Sequence, residues 1–485
     1  MESNIISWYD FKQNSKILFL GDKDSGVYKY LKKEYTKVDN EVKEKDYDYI
    51  IIASDRIKPE RLEIAIENLK KSGTLLIMFN NDYGISKFVT YDKKNNKSFL
   101  DEIEENPYNK EYIYEKLNKE KFQYINLYIP FPNYKRADVI ITEKLDDISN
   151  KLDKYFYDYN ENSLVITNEI NTLRKIAKNN KELFFNICNS YLIEASKTEL
   201  NTNVMYVSFN NYRKEKYQLS TIMRKDIVEK RATCKEAEEH IMNIKSNLRR
   251  LKDYEFNIID DYTNDTLYSI HIKNKKTLDI ELGEQYQNEE LIVNRLNDFR
   301  NKLLKRSIKH SKSNKKYYNE ILKEQTEDVL NDFNYLKYAF YDMVPKNCFL
   351  IEGEYYFFDQ EWMAQYLPVE FIIYRSVINS YDLVRKINVD DLFEKLEIKQ
   401  YKELFEKIDN DLRNRIIDID KLNILNKKYD TLNHIVYKNN VLEQQIEDYK
   451  ENDLKQNEYI KSLEENNLKQ DAYIKVLEKN QNIEK

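Results

Sequence analysis

The 485-residue chain reads as an α/β domain built on a parallel sheet, then an α+β two-lobed domain, then a C-terminal helical coiled coil. Three observations predict this. Apolar runs fit to be buried on both faces alternate with amphipathic helices over residues 1–147. Short strand-like runs followed by a single helix open a second stretch, 160–424. From 425 to 485 glycine and proline are absent and the pattern is helical.

A hydrophobic content of 41% is enough for packed cores although 34% of residues are charged. Lys+Arg 79 against Asp+Glu 85 leaves a formal charge of -6, so no global basic field recruits nucleic acid, and no nucleic-acid partner is expected. Cys188, Cys234 and Cys348 are odd in number and far apart, which fits a reducing compartment without a disulfide framework. His240, His271, His310 and His434 lack zinc-ligand spacing, so no structural metal is expected. The start MESNIISWYDF has no basic segment followed by an apolar one, and no run of about 18 apolar residues occurs. The expected location is cytoplasmic, with peripheral placement at the inner face of the membrane left open. With only 6 glycines in the chain, each glycine in a loop calls for a reason.

Lys16 to Leu20 is an apolar run ending in Gly21, followed by a turn to Gly26 and a helical pattern with Val27, Tyr30 and Leu31 on one side. Tyr49 to Ala53 and Thr74 to Phe79 are two further apolar runs, with a helix carrying Leu62, Ala65, Ile66 and Leu69 between them. This is a Rossmann-like pattern, whose ligands lie at the carboxyl ends of the strands. ILFLGDKDSG, DYDYIIIASD, LKKSGTLLIMFNNDYGISKF and INLYIPFPNYKRADVIIT resemble, in order, motifs of class I S-adenosylmethionine methyltransferases linked to surface-glycan synthesis, over about 1–145. The resemblance implies S-adenosylmethionine as cofactor, with Gly21 and Gly26 against its methionine moiety and Asp39 as the ribose acid. A third glycine is missing, Lys23 and Asp24 occupy the turn, and Phe19 stands where many members have an acid. Side chains there crowd a ligand that glycine would let the backbone approach. A working methyltransferase and a degenerate domain kept as a scaffold both stay open.

In the middle stretch, Ser190 to Glu194, Val204 to Phe209 and Tyr217 to Ile222 read as strands. Ile227-Val228-Glu229-Lys230 follows, and then a helix from about Lys235 to Leu251. This order suits the small lobe of a two-lobed fold. Farther on stand Asp342, Asn347, Gly353 and the run Tyr356-Phe357-Phe358-Asp359-Gln360-Glu361-Trp362. Phosphoryl transfer needs one carboxylate by the acceptor hydroxyl and oxygen ligands for magnesium. An Asp and an Asn five residues apart on one loop, then a strand-turn-strand delivering another Asp, can supply these groups. The pattern resembles the catalytic and metal loops of protein-kinase-like enzymes, especially sugar and small-molecule kinases. That resemblance implies ATP and Mg2+, with Asp342 as catalytic base, Asn347 and Asp359 as metal ligands, Glu361 assisting the metal and Lys230 holding the phosphates. Glu236, Glu238 and Glu239 are equal candidates for the partner of Lys230. Ile270-His271-Ile272 to Lys276-Thr277-Leu278-Asp279 resembles the adenine-side hinge. The usual loop histidine is absent, since Phe340-Tyr341 precedes Asp342, and residues 185–230 contain no glycine.

Lys302 to Lys316 is a basic segment that could meet phosphate groups, although a solvated face is the plainer reading. Tyr355 to Phe358 read as core beneath the metal loop, and His240 as a satisfied, half-buried histidine. In the tail, Ile446, Ile460 and Ile474 take position a and Leu442, Tyr449, Leu463 and Leu477 position d. Asp453, Gln456, Asn467 and Gln470 form polar layers. LKQNEYIKSLEENN recurs as LKQDAYIKVLEKNQ, a repeat of two heptads that supports a left-handed coiled coil, with a single solvated helix as the alternative.

Taken in order, the three parts resemble the bifunctional methyltransferase-kinase proteins of bacterial surface-polysaccharide biosynthesis. The resemblance implies a glycan or glycolipid acceptor, a glycosyltransferase partner and a homo-oligomer held by the coiled coil. Two alternatives remain: a methyltransferase with a non-catalytic kinase-like lobe, and a non-catalytic scaffold for glycosyltransferases.

Overall fold

The apolar runs near the N-terminus form a parallel ladder. In the computed structural model, which describes residues 2–103, 109–200, 202–259, 262–264, 267–271 and 276–483, β1 (Ile17–Leu20) pairs in parallel with β2 (Val38–Asp39) and β3 (Tyr47–Ala53), and β3 with β4 (Leu69–Asn80). Ile17, Leu18, Phe19, Ile50, Ile51, Ile52 and Leu75 to Phe79 are all buried, as strands covered on both faces require.

The sheet continues through β5 (Tyr124–Pro132), β6 (Ala137–Thr142), β7 (Ser190–Ser196), β8 (Val204–Phe209), β9 (Leu219–Arg224), β10 (Ile227–Ala232), β11 (Tyr262–Asn264) and β12 (Leu267–His271). Its order across twelve strands is β11-β12-β10-β9-β8-β6-β5-β7-β4-β3-β1-β2. One strand departs from expectation. The run beginning at Ser190, read as part of the small lobe, is β7, which lies antiparallel between β4 and β5 with Ser190 opposite Asn80 and Leu192 opposite Tyr128. All seven of its residues are buried, so it suits the middle of a covered sheet and not the edge of a small lobe. The ladder passes into the antiparallel strands through β6 and β8, with Ile141 opposite Tyr206.

The N-terminal segment crosses one face of this sheet. Ile5, Ile6, Trp8, Tyr9 and Phe11 join a core with Phe19, Leu31, Ile51, Met78, Tyr128 and Val207. A second core gathers Leu296, Phe299, Phe340, Phe357, Phe371, Ile372 and Phe405 beneath the loops that carry Asp342 and Asp359.

Two compact units divide the chain. One comprises Met1–Ile85, Ile103–Asp158 and Leu173–Lys427, and the other Ser86–Glu102, Tyr159–Thr172 and Lys428–Lys485. The second holds a four-stranded sheet, with Lys93 paired to Asp430 at 2.5 Å, and the long helix Leu432–Ile483. At 52 residues that helix is about 78 Å long. Its heptad residues Leu442, Ile446, Tyr449, Ile460 and Leu463 are exposed. The side chains of Ile474 and Leu477 lie outside the described residues, as do residues 272–275 of the expected hinge. Among the described residues no helix is long and apolar enough to cross a membrane.

Candidate functional site

Two loops make the site, and a hairpin brings them together. β13 (Asn334–Phe340) runs into Tyr341 and Asp342, where the chain turns through Val344 N to Asp342 O (2.8 Å) and Asn347 N to Val344 O (2.9 Å). β14 (Cys348–Ile351) and β15 (Glu354–Phe357) then fold back with Cys348 opposite Phe357. Their two-residue turn has Glu352 at φ 54° and Gly353 at φ 83°. Left-handed backbone at both positions matches the twist of a tight hairpin, and glycine takes it without strain. The return places Phe358 N on Asn347 O at 3.0 Å, so the start of the second loop is tied to the first.

Asn347 Nδ2 donates to the carbonyls of Asp342 (3.2 Å) and Asp359 (3.4 Å). Gln360 Nε2 donates to the carbonyls of Asp342 (3.1 Å) and Phe358 (2.7 Å). Asn247, on α2 (Glu238–Asp253; α1 is Gly26–Glu34), donates to Gln360 O at 2.9 Å. Asp359 itself is left-handed at φ 54°, a conformation an Asp tolerates better than most residues and one that recurs at functional turns.

The charged groups form one cluster. Lys230 on β10 places Nζ 2.7 Å from Asp359 Oδ2 and also bonds Glu361 Oε1. Arg213 Nη1 lies 2.6 Å from Glu361 Oε2, and His240 Nε2 lies 3.4 Å from the same oxygen. His240 packs at a tilt against Trp362 with ring centroids 4.5 Å apart. On the other side, Arg375 of α3 (Val369–Ile378) stands 3.5 Å from Asp342 Oδ1, bonds Asp409 and donates Nε to Tyr341 O at 2.7 Å. Asp409 belongs to α4 (Lys402–Ile416).

Burial pushes the Asp342 carboxyl up to about 6, against the pull of the Arg375 charge, which lowers it. Burial also acts to raise Glu361, but Arg213, Lys230 and His240 outweigh it and hold the carboxyl well below its ordinary range. Lys230 is buried too, and Asp359 and Glu361 more than offset the burial, so its pKa is raised.

Asp342, Asn347, Asp359, Glu361 and Lys230 are thus brought together. The partners of Lys230 are Asp359 and Glu361 and none of Glu236, Glu238 and Glu239. Those glutamates are exposed or half-exposed, whereas Ala237, His240, Ile241 and Ile244 form the buried side, so α2 presents His240 to the site. Arg213, Arg375 and Trp362 were not singled out by sequence reasoning. Arg375 had a signal, as the lone cation within the largely apolar run VEFIIYRSVI.

A magnesium ion fits part of the expected set. Asn347 Nδ2 reaches the Asp359 carbonyl, both side chains carry oxygens, and Lys230 takes one of the two carboxylate oxygens of Asp359. Both carboxylate oxygens of Glu361 are already paired with cations, so it does not fit as a ligand. Among the described residues no group of three or more His, Cys, Asp or Glu is placed to hold a metal.

S-adenosylmethionine does not fit its expected turn. A Cβ built on Gly21 would lie 2.5 Å from Phe19 Cζ, and one on Gly26 would lie 2.5 Å from Glu2 Cβ. The Glu2 carboxylate takes the Gly26 N–H at 2.6 Å, the place at a helix N-terminus where an anionic ligand would bind. Asp39 is bonded by Lys43 (2.9 Å) and by the Tyr47 hydroxyl (3.0 Å). The chain's own side chains fill the glycine turn and engage the ribose acid.

No family model matches the chain, and neither does any curated protein. Among solved structures, a SAM-dependent methyltransferase from Thermotoga maritima matches at 12% identity with a TM-score of 0.20, covering 39% of this chain and 84% of that one. Choline kinase LicA from Streptococcus pneumoniae matches at 12% identity with a TM-score of 0.21, covering 41% of this chain and 87% of that one.

Proposed function

We propose that this protein is a kinase-type phosphotransferase that uses ATP and Mg2+ to phosphorylate a hydroxyl group of a bacterial cell-surface glycan or its precursor. The observation that carries the phosphotransferase reading is the convergence of Asp342, Asn347 and Asp359 with Lys230 on two loops locked by the Asn347–Phe358 bond. The glycan acceptor and a glycosyltransferase partner rest on the order of the sequence motifs, methyltransferase-like, then kinase-like, then heptad, and the cytoplasmic location rests on the three scattered cysteines. Self-association rests on the exposed heptad residues of the long helix.

Asp342 takes the proton of the acceptor hydroxyl. With its carboxyl near 6 it is mostly ionised at neutral pH and still basic enough to accept. Lys230 orients the phosphates and balances their charge. Asn347 and Asp359 would hold the magnesium, which would supply neutralisation of phosphate charge when bound. Methyl transfer is not part of this reading, because Glu2 and Phe19 close the turn it would use.

A second reading, a non-catalytic scaffold, draws on the full pairing of Glu361 and Lys230 within the chain. Isothermal titration with ATP and magnesium separates the two. Binding that disappears in Asp359→Ala supports the phosphotransferase, while silence from a folded wild-type protein leaves the scaffold.

A further inference from the structure

The connection between β8 and β9, residues 210–218, stands where a phosphate-covering loop belongs, and it has no glycine. Several of its backbone amides are already committed. Arg213 N donates to Asn210 O (3.0 Å), Lys214 N to Ile416 O (3.0 Å), Tyr217 N to Lys214 O (2.8 Å) and Gln218 N to Glu215 O (3.0 Å). The segment is also strapped to the end of α4, since Asp418 N donates to Tyr212 O (3.0 Å) and Lys214 Nζ to Arg415 O (3.0 Å). A grip on phosphates through these backbone amides is therefore closed, and the grip has to come from a side chain.

Arg213 is the side chain this strap sends into the site. Its guanidinium lies over the Trp362 ring at 5.4 Å and reaches Glu361 Oε2, while Lys230 holds Oε1. One carboxylate thus sits between two cations, which is the charge pattern a phosphate group would meet. The contact with Trp362 holds the guanidinium at the site, and its single bond to the Glu361 carboxylate can be exchanged for bonds to phosphate oxygens, since the guanidinium fork suits both anions. Glu361 would not be stranded by the exchange, because Lys230 and His240 remain beside it.

We infer that Arg213 is a nucleotide-phosphate ligand of this site, exchanging Glu361 for phosphate oxygens of the bound nucleotide and replacing the grip that a glycine-rich loop would give. The inference rests on the phosphotransferase reading and adds to it the residue that recognises the phosphates.

The test is isothermal titration of the full chain with ATP plus magnesium, ADP plus magnesium, and adenosine, using wild type, Arg213→Met and Arg213→Lys, with melting curves for each. Arg213→Met is expected to weaken both nucleotides ~10–100-fold, the range for a charged hydrogen bond, and to leave adenosine unchanged. Arg213→Lys should recover part of the loss. Nucleotide binding by Arg213→Met that equals or exceeds wild type would overturn the role and make Arg213 an internal clamp. Equal loss of adenosine and nucleotide would overturn it too, as a structural effect. Wild type that binds neither nucleotide would reject the phosphotransferase itself, an outcome visible before any variant is made.

Discussion

Arg375 and Asp342 face each other at 3.5 Å, the arginine on a helix and the aspartate just past the end of a strand. Arg375 fixes this loop by its bond to Tyr341 O and anchors itself on Asp409. Arg375→Met is expected to cost about 3 kcal/mol in urea unfolding, because Asp409 stays buried with Arg413 as its remaining cation, 2.7 Å away. Arg375→Lys should recover less than half, since it lacks the second arm of the fork. A loss under about 1 kcal/mol for Arg375→Met would mean that water relieves Asp409.

The raised carboxyl of Asp342 makes a pH prediction. An unfolded Asp releases its proton near 3.9, whereas Asp342 in the fold holds it to about 6. Between these values the native state binds more protons, so this group's contribution to stability falls as pH rises from about 4 to about 6 and stays low above that. At neutral pH the cost is about 3 kcal/mol. In the absence of nucleotide and magnesium, Asp342→Asn should therefore be more stable than wild type at pH 8, with the difference shrinking towards pH 4, while phosphotransfer is abolished. Equal melting temperatures at pH 8 would show that the carboxyl is not held up.

Asp359 and Glu361 are two residues apart, and their substitutions should separate. Asp359→Asn suits the left-handed backbone and leaves Lys230 its bond to Glu361, so the melting temperature should stay within about 2 °C of wild type while magnesium-dependent ATP binding is lost. Glu361→Gln leaves Lys230 and Arg213 close together without the charge between them, and should lower the melting temperature by about 5 °C or more. The reverse order in calorimetry would reassign the two roles.

Glu194 is fully buried on β7 and accepts four hydrogen bonds, from Tyr9 (2.7 Å), Thr202 (2.6 Å), Asn126 (2.8 Å) and Tyr128 (2.8 Å). Glu194→Gln turns one end of the group into a donor facing donors, and is expected to cost about 2–4 kcal/mol. Tyr9→Phe removes one bond and should cost about 1–2 kcal/mol. If Glu194→Gln unfolds at the wild-type urea midpoint, the network is not holding the strand.

For the long helix, the double variant Ile446→Asn and Ile460→Asn should lower the mass measured by light scattering to that of one chain and leave nucleotide titration unchanged. A wild-type protein that is already monomeric would refute self-association through this helix.

Much of this architecture can be read along the chain. β1, β3 and β4 announce themselves as apolar runs, and Asp342, Asn347 and Asp359 by their spacing, because the hairpin that joins them is local. Contacts made across long separations leave little trace. Lys230 meets Glu361 over 131 residues, and Arg213 meets it over 148. Neither pairing has a periodicity to betray it. β7 was legible as a strand but not in its place, since apolar residues on both faces do not say which neighbours a strand will choose. The closure of the glycine turn by Glu2 was invisible for the same reason, although Phe19 hinted at it.

The position of β7 also limits how the molecule can be cut. Its residues come more than forty places after β4, β5 and β6, yet it sits between β4 and β5, bonded on both sides. A fragment ending at residue 147 would keep β4 and β5 but lose the strand that joins them. It would present two bare ladders of backbone N–H and C=O groups in the heart of an apolar sheet, an open slot that any extended chain could enter. Expressed alone, such a fragment should aggregate, and a separate peptide spanning 186–200 should restore its solubility by filling the slot.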